Sequence, residues 1–184
     1  MSPKRVPVLL ALSVLLVLPL AGRAGEARLL RFPHLSAERV VFVYAGDLWT
    51  APLRGGQASR LTAHPGEELF PRFSPDGKWI AFTGDYDGNR EVYVMPATGG
   101  EPRRLTYSPD ISPGIPDRFG PDNAVIGWSP DGRILYRSRR DQWNVFMGRI
   151  WAVSPQGGPP RPLPLPYSGF LSLAPDGRRA AYTG

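Results

Sequence analysis

Past its first thirty residues the chain arranges its apolar positions in short runs of four to seven, each bounded by Gly, Pro or Asp. Arg39–Tyr44 (RVVFVY), Lys78–Thr83 (KWIAFT), Arg133–Ser138 (RILYRS) and Arg178–Thr183 (RRAAYT) are rich in β-branched and aromatic residues and read as strands. Several are apolar on both faces, which suits strands sandwiched between neighbouring sheets. The 21 glycines and 22 prolines argue against a helical bundle.

The runs belong to a repeat. Ser74-Pro75-Asp76-Gly77, Ser129-Pro130-Asp131-Gly132 and Ala174-Pro175-Asp176-Gly177 each precede one of them, and Ser36-Ala37-Glu38 is a diverged first copy. Proline presets φ at the second turn position, aspartate bonds nearby amides, and glycine takes the positive φ that follows. A second run carries Trp49, Tyr93 or Trp151 at equivalent places. A Gly-Gly turn follows, and a short strand ends at Leu61-Thr62, Leu105-Thr106 or Leu163-Pro164. With first strands at Leu69–Phe73, Ala124–Trp128 and Gly169–Leu173, the unit has four short antiparallel strands. Units of this size, each with a signature turn, predict an all-β fold. The expected architecture is a partial β-propeller of about three and a half four-stranded blades, at about 29–62, 69–106, 124–164 and 169–184. Such an array leaves strand edges unpaired, so the chain is expected to be a fragment of a longer product.

The N-terminus is different. Lys4 and Arg5 precede an uncharged apolar run from Val6 to Leu20, and Ala21, Gly22 and Ala24 follow. That layout predicts a signal peptide over 1–24, with cleavage after Ala24 or after Ala27 and an incomplete propeller over 25–184. The mature protein is then expected outside the cytoplasm, periplasmic or extracellular, and free of the membrane. Removing Lys4, Arg5 and Arg23 lowers the formal charge from +6 to +3. The remaining basic residues are scattered, which argues against nucleic acid as a partner. Cysteine is absent, so disulfide scaffolds, thiolate zinc sites and cysteine nucleophiles are excluded.

Candidate chemistry is sparse. His34 and His64 lack partners at metal-ligand spacing and are read as loop residues. No GxSxG elbow, phosphate-binding loop or dinucleotide fingerprint occurs. Asp85, Asp87, Asn89 and Glu91 superficially resemble a calcium loop. The glycine stands at position four rather than six, however, and the closing glutamate is missing, so a hairpin turn is the better reading. The proline-rich Gly157–Pro166 matches Gly99–Thr106 within the repeat and reads as the approach to a fourth strand. Trp49, Tyr93 and Trp151 read as blade packing. No catalytic, cofactor-binding or metal-binding residue is assigned, and no cofactor is expected.

Phe70–Gly84 (FPRFSPDGKWIAFTG), Val41–Trp49 (VFVYAGDLW), Gly127–Gly132 and Tyr136–Arg140 resemble the N-terminal propeller of tricorn proteases over Leu29 to Gly184. The resemblance implies a six-bladed propeller, further domains, a serine protease core that hydrolyses peptides, and a hexameric assembly. It also implies that the propeller is a substrate gate or filter, and that the catalytic residues lie beyond Gly184. The proline-rich loop Tyr107–Asn123 departs from the more compact family form. Two alternatives stay open: a Tol-system-like periplasmic binding propeller without enzymatic activity, and a prolyl-oligopeptidase-type enzyme.

Overall fold

The computed structural model describes residues 29–108, 122–141, 148–174 and 176–183. The predicted signal peptide, Pro175, Gly184 and most of the 107–123 loop lie outside the described residues. Fourteen strands, and no helix, are found among those described. The first sheet is β1 (Arg31–Leu35), β2 (Arg39–Tyr44), β3 (Asp47–Pro52) and β4 (Ser59–Arg60). The second is β5 (Glu68–Phe73), β6 (Trp79–Asp85), β7 (Arg90–Pro96) and β8 (Arg103–Arg104). The third is β9 (Asn123–Trp128), β10 (Ile134–Ser138), β11 (Arg149–Val153) and β12 (Arg161–Pro162). A two-stranded sheet, β13 (Leu171–Leu173) with β14 (Ala180–Tyr182), follows. Every pair is antiparallel between consecutive strands, so each sheet is a meander. This is the partial propeller that the repeat predicts.

Two-faced apolar strands explain how the sheets stack. On β6, Ile80 and Phe82 face the first sheet and meet Val41, Val43 and Leu48, while Ala81 faces the third. On β7, Tyr93 and Met95 join the first layer, and Val92 and Val94 meet Val125, Ile134 and Tyr136 in the second. A third layer joins Leu135, Ile150 and Ala152 to Leu171 of the half blade. At about 25 cal/mol per Å² of apolar surface removed from water, these layers are the main force holding blade to blade.

The turn chemistry follows the sequence. Gly77, Gly132 and Gly177 have φ of 70°, 80° and 67°, and each donates its N–H to the carbonyl three residues earlier. The Ser74 hydroxyl donates to Asp76 Oδ1 at 2.5 Å, and Asp76 accepts the Lys78 N–H at 3.1 Å. The three turns are not identical in span. Phe73 pairs with Ile80, but Trp128, at the same place before its turn, pairs with Ile134, one residue sooner. The third blade has no counterpart of Trp79, so KWIAFT and RILYRS do not align position by position.

First strands are bulged where they pair with second strands in all three blades. Phe32 and Phe70 sit in two of these bulges with φ of 51° and 53°, and their rings lie 4.4 Å apart. A left-handed backbone costs a non-glycine residue about 1–2 kcal/mol. Packing of the two rings against the apolar layers offsets that cost.

Candidate functional site: the seams between blades

The structure places its buried polar chemistry where one blade ends and the next begins. The fourth strands stop just before the expected Leu-Thr or Leu-Pro, two residues short of the expected end. Leu61 adds one bond to the Leu48 carbonyl at 2.7 Å, and then a side chain replaces the ladder. Thr62 Oγ1 accepts the Leu48 N–H at 2.8 Å. Thr106 Oγ1 accepts the Val92 N–H at 2.9 Å in the same way. A buried amide left unpaired costs about 1–3 kcal/mol, so these hydroxyls finish the sheet where the backbone turns away. The third blade has Pro164 at this position and no hydroxyl to offer.

In the first seam the Thr62 hydroxyl donates to Glu68 Oε2 at 2.8 Å, and the Tyr86 hydroxyl donates to Glu68 Oε1 at 2.8 Å. Glu68 opens β5 and is wholly buried. Burial pushes its pKa up to about 7, hydroxyl donors only partly oppose this, and the negative Asp47 adds to it. Arg60 pairs with Asp47 at 2.7 Å, not with Glu68. Burial and the bond to Glu68 also drive the Tyr86 pKa far above the ordinary phenol range.

In the second seam the buried carboxylate comes from β7 instead. Glu91 accepts from Thr106 Oγ1, the Ser108 N–H, Asn123 Nδ2 at 3.0 Å and Asn89 Nδ2 at 3.3 Å. Arg104 adds a guanidinium at 3.3 Å. Asn123, at the place Glu68 holds one blade earlier, is neutral and also donates to the Arg90 carbonyl at 3.0 Å.

First strands carry a second set of ties. His34 Nδ1 accepts the Phe73 N–H at 3.1 Å, Arg72 Nε donates to the Ile126 carbonyl at 2.8 Å, and Trp128 Nε1 donates to the Arg72 carbonyl at 3.0 Å. Burial, then Arg72, lowers the His34 pKa, which keeps Nδ1 free to accept. His34 is therefore on a strand and fastens two blades, a correction to its reading as a loop residue. His64 is in the linker after β4, as expected. Its Nδ1 accepts the Gly66 N–H at 2.9 Å, and its ring lies 4.1 Å from Tyr86.

Asp85 to Glu91 form the β6–β7 hairpin, with Gly88 at φ 76° and Asp85 paired to Arg90. Glu91 points into the seam. Among the described residues no group of three His, Asp or Glu side chains could hold a metal ion. Trp49, Tyr93 and Trp151 stand opposite Phe42, Phe82 and Tyr136, consistent with blade packing. On the outer rim of the first seam, residues including Leu61, His64, Tyr86, Glu101 and Pro102 line an open cleft of about 330 Å³.

Meandering blades, SPDG turns and hydroxyl-capped seams define the chain as part of a β-propeller. Residues 27–184 match the family described as the tricorn protease N-terminal beta propeller domain, and the chain belongs to that family. It is 38% identical over 162 residues to tricorn protease homolog 1 of Streptomyces coelicolor, covering 83% of this chain and 14% of the relative. It is 30% identical over 154 residues to the tricorn protease of Thermoplasma acidophilum, covering 82% and 14%. The crystal structure of the tricorn protease superposes with a TM-score of 0.67 and 26% identity, over 81% of this chain and 14% of that one. A putative TolB from Agrobacterium tumefaciens gives 0.66 and 23% identity, over 84% and 53%, a likeness of fold alone. The chain thus spans about one seventh of the length of its tricorn relatives.

Proposed function

We propose that this chain is the non-catalytic propeller portion of an exported tricorn-like serine protease that hydrolyses peptides. The observation that carries this reading is the family match over 27–184, in a chain whose buried Glu68 and Asn123 bond back to the preceding blade. The propeller acts as a gate, a stiff β-disc that limits which peptides reach a site elsewhere in the polypeptide. The parent works outside the cytoplasm after loss of residues 1–24, and assembles as a homo-oligomer, a hexamer by resemblance. Its reaction is peptide hydrolysis through a serine nucleophile and a histidine base.

The test is a peptidase assay on the longer polypeptide, with and without its propeller, using peptides of graded length. Gating predicts that removal relaxes length discrimination while kcat/KM for the shortest peptide holds. Unchanged discrimination overturns the gate, and absence of peptide hydrolysis overturns the protease reading in favour of a Tol-like binding module.

A further inference from the structure

The first and second seams correspond position by position where their carboxyl groups sit. Asp47 opens β3 opposite Tyr44, and Glu91 stands on β7 opposite Gly84, the same register one blade on. Arg60 pairs with Asp47 at 2.7 Å, as Arg104 pairs with Glu91 at 3.3 Å. Glu68 opens β5 opposite Gly84, and Asn123 opens β9 opposite Ser138. The backbone carbonyl just before each accepts the same bond: Glu67 from the Asp85 N–H at 3.0 Å, Asp122 from the Arg139 N–H at 3.2 Å. The second seam thus sets a carboxylate with an amide, and the first puts two carboxyl groups at the same two places.

In the second seam the amide is the donor, and Asn123 Nδ2 bonds Glu91 Oε2 at 3.0 Å. Asp47 lacks that donor. Its Oδ2 takes Arg60, while its Oδ1 is buried and has no hydrogen-bond partner among the described residues. A buried acceptor left unpaired is unfavourable, more so when it carries charge. Glu68, wholly buried, stands where Asn123 supplies an N–H, and it becomes a donor only by holding a proton. The backbone brings the two acids together, since the Glu68 N–H donates at 2.8 Å to the carbonyl of Gly46, the residue before Asp47. The other groups around Glu68 leave its charge unmatched. Thr62 and Tyr86 reach it as neutral hydroxyls, and His64 and Tyr93 lie against Tyr86 with ring centres at 4.1 and 4.6 Å. Arg60 is held by Asp47, and Arg90 pairs with the neighbouring Glu67 at 2.9 Å. Arg31 of β1, which lines a small recess with Glu68, is exposed.

We propose that Asp47 and Glu68 share one proton across the first seam, protonated Glu68 donating to Asp47 Oδ1 as Asn123 donates to Glu91. The proton comes from solvent, and its loss sets two carboxylates against each other at one joint. The first blade is then held less firmly in mildly alkaline than in mildly acidic medium, whatever the parent polypeptide does with peptides. The test is a carboxyl carbon-13 NMR titration of the full chain, with Glu68 assigned by the signal that Glu68→Gln removes and far-UV circular dichroism checking each variant's fold. The Glu68 midpoint is expected near 7 in the parent. In Asp47→Asn it falls by about one pH unit, and in Arg60→Met, which leaves the Asp47 charge unmatched, it rises by about half a unit. Loosened packing would move both variants the same way, so opposite shifts are the signature. A parent midpoint near the ordinary 4.5, or variant midpoints that stay put or move together, overturns the pair. Should Asp47→Asn fail to fold, Arg60→Met, at a half-exposed side chain, decides alone, and no change or a fall counts against the pair. At pH 8 Glu68→Gln, which carries an amide donor at all times, should raise the folding equilibrium constant about tenfold over the parent. Absence of that gain overturns the donor role of Glu68.

Discussion

The first and second seams solve one problem with opposite electrostatics. Both must end a sheet, turn the backbone and bury the junction. In the first, a carboxylate enters from the following blade and is met by hydroxyls, with another carboxylate nearby. In the second, the carboxylate comes from the preceding blade, is surrounded by donors including a guanidinium, and faces a neutral amide. A buried charge is stable when matched by charge-assisted bonds and titrates when it is not. The two seams therefore draw their buried carboxylates from different strands, Glu68 from β5 in the first and Glu91 from β7 in the second, and surround them differently.

The largest effect should come from breaking the better-matched seam. Glu91→Ala removes the acceptor shared by five donors, including the buried Thr106 hydroxyl, and is expected to cost about 3–5 kcal/mol in urea unfolding. A loss below about 1 kcal/mol would mean that water replaces the carboxylate and the seam is wetter than its burial indicates.

The proton-binding seam should show itself through pH. Glu68 titrates near 7 in the folded chain against 4.5 for the free side chain, so folding favours its protonated form. Its contribution to stability is full below about pH 4.5 and is lost as pH rises through 7. Between pH 5 and pH 8 the chain should lose about 1–3 kcal/mol on this account, since one pKa unit corresponds to about 1.4 kcal/mol. Glu68→Gln should flatten that loss. An equal pH slope in both proteins, measured from urea midpoints, would assign the titration elsewhere.

The smallest effect sharpens the comparison of buried seam with outer rim. Arg103→Ala removes an exposed tie from β8 to the Gln156 and Pro155 carbonyls of the β11–β12 turn, and the expected cost is under about 1 kcal/mol. A cost above about 2 kcal/mol would show that the outer rim, not the buried hydroxyls, fastens these blades.

Much of this was legible in the chain. The SPDG turns, the two-faced runs and the recurring Trp or Tyr marked strands and blades because turn chemistry and alternation are local. The seams were harder. Thr62 and Thr106 recur after leucine, and a recurring hydroxyl at a strand end was the available signal, yet their partners lie 14 residues back along the chain. Glu68 falls one residue before the expected start of its strand, and nothing local marks it as buried, because burial is decided by the neighbouring blade. The reach of Arg103 from β8 to the next blade needs strand register, which the missing counterpart of Trp79 shows can slip within one family of repeats.

The strand-to-strand ties through His34, Arg72 and Trp128 have a mechanical meaning. Each is a stitch between adjacent blades only, so a pull along the chain loads them one after another rather than together. A seam that gives way releases its own blade and leaves the stitches beyond it under no more tension than before.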